Sequence, residues 1–182
     1  MFGFIKPVPQ IGSRLPVVSD GYHIRSTGKF HEGIDIMYKK LPSDPSGLPW
    51  ASSGGGFYVP PGTPAIAAGP GTVLKSGIDS HGGYVYIDHG EGIQTNYRHL
   101  NPRKVNVGDH VNAGDIVGLI GEDPSTAGDP AHLHFELQIN GEKVDPESYF
   151  NSWPAITLKN TLLFAGLVAG GIYIVYKLMI EA

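Results

Sequence analysis

The sequence predicts a mainly β, antiparallel domain of sandwich or barrel type, followed by one apolar helix of membrane-crossing length. Three observations predict it. Glycine and proline number 26 and 15 among 182 residues while charge is sparse, a balance that favours short strands and many turns over helices. From Ala65 to Leu137, short alternating segments are separated by turn residues, at a spacing that suits a sandwich or barrel. The run from Thr161 to Ile180 (TLLFAGLVAGGIYIVYKLMI) carries a single charge, Lys177. The expected division is an extended segment at 1–20, a β domain at 21–153 and a carboxy-terminal anchor at 154–182.

Residues 1–20 are punctuated by proline and glycine and lead in as extended chain. In Phe30-His31-Glu32-Gly33-Ile34-Asp35-Ile36, the polar His31, Gly33 and Asp35 alternate with apolar neighbours. Gly33 and the β-branched residues favour a strand, on which His31 and Asp35 share a face. Residues 39–63 are dense in Pro, Gly and Ser and read as a long loop. Its Trp50, Phe57 and Tyr58 either line a groove or fasten the loop to the core.

Strands are expected at Gly71 to Leu74, at Tyr84 to Asp88 and, after a turn at Gly90 to Gly92, at Ile93 to Leu100. Val107-Gly108-Asp109-His110-Val111 is echoed by Ala113-Gly114-Asp115-Ile116-Val117, each with Gly-Asp at a turn. Asp145 to Phe150 closes the domain and Trp153-Pro154 marks the exit. A helix over 161–180 would be about 30 Å long at roughly 1.5 Å per residue, matching a hydrocarbon core. Lys177 can snorkel, Tyr173, Tyr176 and Trp153 can anchor at the interface, and Gly166 with Gly170 forms a GxxxG helix-pairing spacing.

Composition excludes several functions. The formal charge is −4 with basic residues scattered, which is no footprint for nucleic acid. There is no cysteine, so disulfides, thiol catalysis and Cys-ligated metal are ruled out. Any metal must sit on His, Asp or Glu.

Chemistry concentrates in Ala131-His132-Leu133-His134-Phe135-Glu136-Leu137-Gln138-Ile139. On a strand, His132 and His134 point one way while Leu133, Phe135, Leu137 and Ile139 point the other. Paired imidazoles can supply metal ligands and a general base to one site. Glu136 shares their face and can orient a ligand, although a solvent-facing carboxylate is the preferred reading. Tyr97 reads as core, and His23, His81, His89 and His110 as surface or turn residues.

Taken together, His31, Asp35, His99, His132 and His134 form a specific constellation. With the HxxxD motif at His31 to Asp35, Tyr97-Arg98-His99-Leu100, the Gly-Asp turns and the HxH motif at His132 to His134, the stretch from Gly21 to Phe150 resembles the lysostaphin-type (LytM-like) zinc endopeptidases of peptidoglycan. The resemblance implies an antiparallel β sandwich with an open groove. It implies one zinc ion on His31, Asp35 and His134, with His99 and His132 flanking the water at its open position, and bacterial peptidoglycan peptides as substrate. Three protein ligands leave zinc the free position that catalysis needs. Departures from the family pattern are His23 where an arginine often follows Gly-Tyr, with Arg25 two residues on, the long 39–63 loop, and an extended Glu122 to Ala131. They bear on substrate choice rather than on the metal set.

Two other classes are weighed. A wall-binding or hydrolase-regulating domain without activity would be expected to lack ligands, and all five positions are present. A lipoyl-type carrier needs a lysine at a hairpin tip, which the Gly-Asp echo lacks. Met1 to Pro9 holds no apolar stretch of signal-peptide length, so a chain held by residues 161–180 in a lipid bilayer would keep its β domain away from a wall. A virion with an internal membrane, carrying the enzyme to the envelope during entry, resolves this; a cell membrane facing the wall is the other setting.

Overall fold

A computed structural model describes residues 4–41, 56–125, 129–168 and 171–180. The strands are β1 (Pro16–Asp20), β2 (Ile34–Lys39), β3 (Phe57–Tyr58), β4 (Pro64–Ile66), β5 (Gly71–Asp79), β6 (Gly82–Asp88) and β7 (Ile93–Arg103). They continue with β8 (His110–Val111), β9 (Ile116–Ile120), β10 (Leu133–Ile139) and β11 (Glu142–Val144), then the short helix α1 (Glu147–Phe150), β12 (Leu158–Val168) and β13 (Gly171–Ile180). The first eleven strands form one sheet along the path β1-β2-β10-β7-β6-β5-β8. β11 joins β10, β3 joins β2, and β9 links β4 to the end of β7. Every pairing is antiparallel.

Alternation places the core. In β6, Val85 and Ile87 are buried while Tyr84 and Tyr86 are half-buried on the other face. In β10, Leu133 and Phe135 point inward and His134 outward. These side chains join Ile34, Ile36, Tyr97 and Val117 in one apolar cluster, each large member contributing roughly 1.5–3 kcal/mol on burial. Tyr97 is fully buried, its hydroxyl accepting the Ala68 N–H at 2.8 Å.

The two Gly-Asp turns are built alike. Asp109 Oδ2 accepts the Asn106 N–H at 2.8 Å and Asp115 Oδ2 accepts the Asn112 N–H at 2.7 Å. Gly108 and Gly114 sit at φ of 90° and 91°, where a side chain would be strained.

The carboxy-terminal expectation is corrected. Residues 158–168 and 171–180 pair as an antiparallel hairpin, with Thr161 opposite Lys177 and Val168 opposite Gly171. Among the described residues no helix is long and apolar enough to cross a membrane. The reason is local. Gly166, Gly170 and Gly171 weaken a helix, and Ile172-Tyr173-Ile174-Val175-Tyr176 is β-branched and aromatic throughout. Trp153 stacks on Phe4 at 5.1 Å between ring centroids and packs edge-on to Phe135.

In the 39–63 loop, Phe57 and Tyr58 form β3 against β2, and Tyr58 is buried, so both fasten the loop to the core. Trp50 lies outside the described residues.

Candidate metal centre

β2 and β10 run side by side, with His134 directly opposite Asp35. His31 stands just before β2 and His132 just before β10. Gly33 permits this closeness, because a Cβ there would meet the Phe135 carbonyl oxygen at 2.5 Å and His134 Nε2 at 2.9 Å. His99 arrives differently. It sits at an irregularity where β7 loses register with β6, in the left-handed region at φ 61°. Such a bulge re-aims a side chain at modest cost in strain.

Three atoms converge. His31 Nε2 is 2.9 Å from His134 Nδ1 and 3.1 Å from Asp35 Oδ1, and His134 Nδ1 is 3.0 Å from the same oxygen. The remaining nitrogens are committed outward. His31 Nδ1–H donates to the Gly21 carbonyl at 2.7 Å, and His134 Nε2–H donates to Glu136 Oε1 at 3.3 Å. Because a carbonyl and an ionised carboxylate only accept, both inward nitrogens present lone pairs when the rings are neutral, and donate to Asp35 when they take up a proton. Two lone pairs and a carboxylate oxygen within about 3 Å repel unless a cation joins them, so this donor set fits a divalent metal. Three protein ligands around one ion leave a further coordination position.

His99 and His132 flank the triangle. Their rings meet edge to face at 4.7 Å, His99 lies 5.8 Å from the His134 ring, and His132 Nε2 is 3.7 Å from Asp35 Oδ1. Each donates its Nδ1–H to a carbonyl, His99 to His81 at 2.8 Å and His132 to Pro130 at 2.9 Å. In the neutral form of either ring, the lone pair is therefore at Nε2. All five expected residues line one open groove of about 550 Å³.

The protonation states follow from surroundings. Burial raises the Asp35 carboxyl, but hydrogen bonds with His134 and His31 and the charges of His132 and His134 overcome it and hold the group well below its ordinary value. Burial, helped by the neighbouring His132 charge, pulls the His99 imidazole down to about 4, so it is neutral at neutral pH. For His134, burial acts to lower the imidazole, yet hydrogen bonds to Asp35 and Glu136 prevail and raise it.

Three features depart from the sequence reading. Glu136 is buried rather than solvent-facing, held by Asn96 Nδ2 at 2.7 Å and Lys143 Nζ at 3.0 Å. Burial pushes its carboxyl up, but the hydrogen bonds from His134, Asn96 and Lys143 bring it down to about 2. His89 is also buried, bonded to the Pro70 carbonyl and Thr95 and packed against Phe4. A two-residue hydrogen-bond path along one strand face was available in the sequence for Glu136; nothing marked His89. Arg25 bridges Asp20 Oδ2 and Asp35 Oδ2, both at 2.7 Å. It occupies the carboxylate oxygen that the triangle does not use. His23 and His110 are exposed as expected, and the exposed His81 lends its carbonyl to His99.

The chain matches Peptidase family M23 over residues 51–146. That stretch contains His99, His132 and His134, while His31 and Asp35 lie upstream and are joined to them by the geometry above. The chain is 38% identical over 99 residues to the peptidoglycan DD-endopeptidase ShyC of Vibrio cholerae, covering 54% of this chain and 22% of that protein. It is 33% identical over 110 residues to the DD-carboxypeptidase/endopeptidase Mpg of Neisseria meningitidis, covering 60% and 25%. The chain thus spans no more than 25% of the length of either relative. A zinc containing peptidase from Vibrio cholerae shares the fold at a TM-score of 0.58 and 23% identity, over 79% of this chain and 39% of that one. With more than half of its length matched by the family model and the same fold in a solved peptidase, the chain belongs to peptidase family M23.

Proposed function

We propose that the protein is a zinc-dependent endopeptidase that hydrolyses peptide bonds in bacterial peptidoglycan. The observation that carries this is the triangle of His31 Nε2, Asp35 Oδ1 and His134 Nδ1, flanked by two imidazoles and open to a groove. The names of the relatives ShyC and Mpg support the substrate class.

His31, Asp35 and His134 would hold the ion. Zinc, when bound, supplies Lewis acidity that polarises a scissile carbonyl and acidifies water toward a pKa of about 7. His99, neutral with Nε2 unprotonated, takes a proton at that atom as general base. His132, with Nδ1–H committed to the Pro130 carbonyl and Nε2 toward Asp35, donates from Nε2 to the carbonyl oxygen or leaving amine once that nitrogen carries a proton. Arg25 fixes Asp35 through its second oxygen, so that Oδ1 alone faces the other two ligands. The test is a turbidity assay. The full chain with zinc should clear a cell-wall suspension and a chelator should stop it; a metal-loaded chain that leaves the wall intact defeats the reading.

Placement at a bilayer is proposed on composition alone, the apolar run 161–180 with its single charge being the support. Flotation of the full chain with lipid vesicles tests it. Carriage on the internal membrane of a virion is proposed as the setting that brings such a chain to a wall, and its absence from purified particles would defeat that setting.

A further inference from the structure

Lys143 lies outside every motif in the sequence, yet it touches both ligand-bearing segments. On β11 it stands opposite Gln138 of β10, and its Nζ reaches Glu136 Oε1 at 3.0 Å and Glu32 Oε2 at 2.6 Å. Glu136 Oε1 is the oxygen that accepts His134 Nε2–H. Glu32 follows His31 directly in the chain. Tyr22 adds a third tie, its hydroxyl donating to the Lys143 carbonyl at 3.1 Å, next to Gly21, whose carbonyl receives His31 Nδ1–H.

We propose that Lys143 is a positioning residue for the metal centre, its ammonium fixing Glu136 against His134 while bridging to the segment that carries His31. The proposal deepens the zinc reading and rests on it. The two arms differ in weight. Glu32 is 57% exposed and its ion pair contributes little. Glu136 is 6% exposed, so removing its cation leaves a buried carboxylate with only Asn96 and His134 as donors. Oε1 then has the imidazole as its one hydrogen-bond partner, and the carboxylate is held only by Asn96 at Oε2, about which it can pivot. The His134 ring can follow it, swinging Nδ1 off the line to His31 Nε2 and Asp35 Oδ1. Partners of this kind to metal-bound histidines set ring orientation and typically contribute 10–100-fold in affinity.

The backbone tie to Tyr22 survives any side-chain change, so Lys143→Met isolates the ammonium. Zinc affinity of the full chain is read by competition with a chromophoric chelator, and the His134 ring by ¹⁵N NMR of the metal-free chain at pH 8. In K143M, affinity is expected to fall about 10-fold or more, and the Nε2–H signature of His134 should give way to a tautomer average. Lys143→Arg, which retains a cation able to reach both carboxylates, should stay within about threefold of wild type. K143M that binds zinc within about twofold of wild type, with an unchanged His134 signature, overturns the proposal. Should K143M fail to fold, Glu136→Gln carries the same expectation for affinity, and wild-type affinity in E136Q overturns the proposal equally. A wild-type chain that holds zinc but cuts no wall peptide defeats the proposed function while leaving this inference standing.

Discussion

His31 Nε2 and His134 Nδ1 face each other at 2.9 Å, and each ring has already spent its other N–H on a fixed acceptor. Two imidazole lone pairs so placed, with Asp35 Oδ1 beside both, require a positive charge between them. In the metal-free chain a proton can meet that need, which agrees with the raised affinity of His134 for protons. Metal and proton therefore compete for the same three atoms.

Replacing one of those atoms should remove the ion. His31→Ala, Asp35→Ala and His134→Ala are each expected to lower zinc affinity by on the order of 100-fold or more, and to abolish wall clearing. Metal content of the purified variants, by atomic spectrometry, checks this.

The flanking imidazoles should behave differently. His99→Ala and His132→Ala keep all three ligand atoms, so zinc content is expected to remain near one ion per chain while kcat falls roughly 10²–10⁴-fold. Equal metal loss in these variants and in the ligand variants would undo the division of roles.

Glu136 predicts a pH-dependent stability. Its carboxyl is lowered from an ordinary 4.5 to about 2, so between those values the unfolded chain binds the extra proton. Its contribution is fully present above about pH 4.5 and is lost as pH falls through about 2, on the order of 3 kcal/mol in all. Thermal melts of metal-free wild type and Glu136→Gln should differ most above pH 4.5 and converge toward pH 2. A gap that stays constant across that range contradicts it.

Gly33 should tolerate no side chain. An added Cβ would press on the Phe135 carbonyl oxygen at 2.5 Å, and backbone cannot yield as a flexible side chain does. Gly33→Ala is expected to cost about 1–3 kcal/mol and to weaken zinc binding by parting β2 from β10. Melting temperature and metal affinity, measured on the same sample, check both halves.

Much of the strand pattern was legible because alternation is a local property. Leu133, Phe135, Val85 and Ile87 announce their inward face in the sequence, and the structure buries all four. The five candidate residues were singled out by type, by the HxxxD and HxH spacings and, for His99, by the family resemblance, and the structure brings all five to one groove. What escaped was set by tertiary contacts. Glu136 looks like any strand carboxylate until Lys143 and Asn96 arrive from other strands, and His99 points into the groove because of a bulge that no periodicity records. Arg25 shows no partner in the sequence, yet it reaches Asp35 ten residues away. The carboxy-terminal run failed for another reason. Apolar length alone does not separate helix from strand, and the glycines and β-branched residues near its middle carried the deciding information.

Product analysis of defined muropeptides by mass spectrometry, with the full chain loaded with zinc and again after chelation, tests the proposed chemistry most directly. Cleavage of a peptide bond only in the zinc-loaded sample, lost in His99→Ala, is the expected result. Muropeptides left whole by a chain that demonstrably carries one zinc ion, or cut equally well after the metal is stripped, would contradict it.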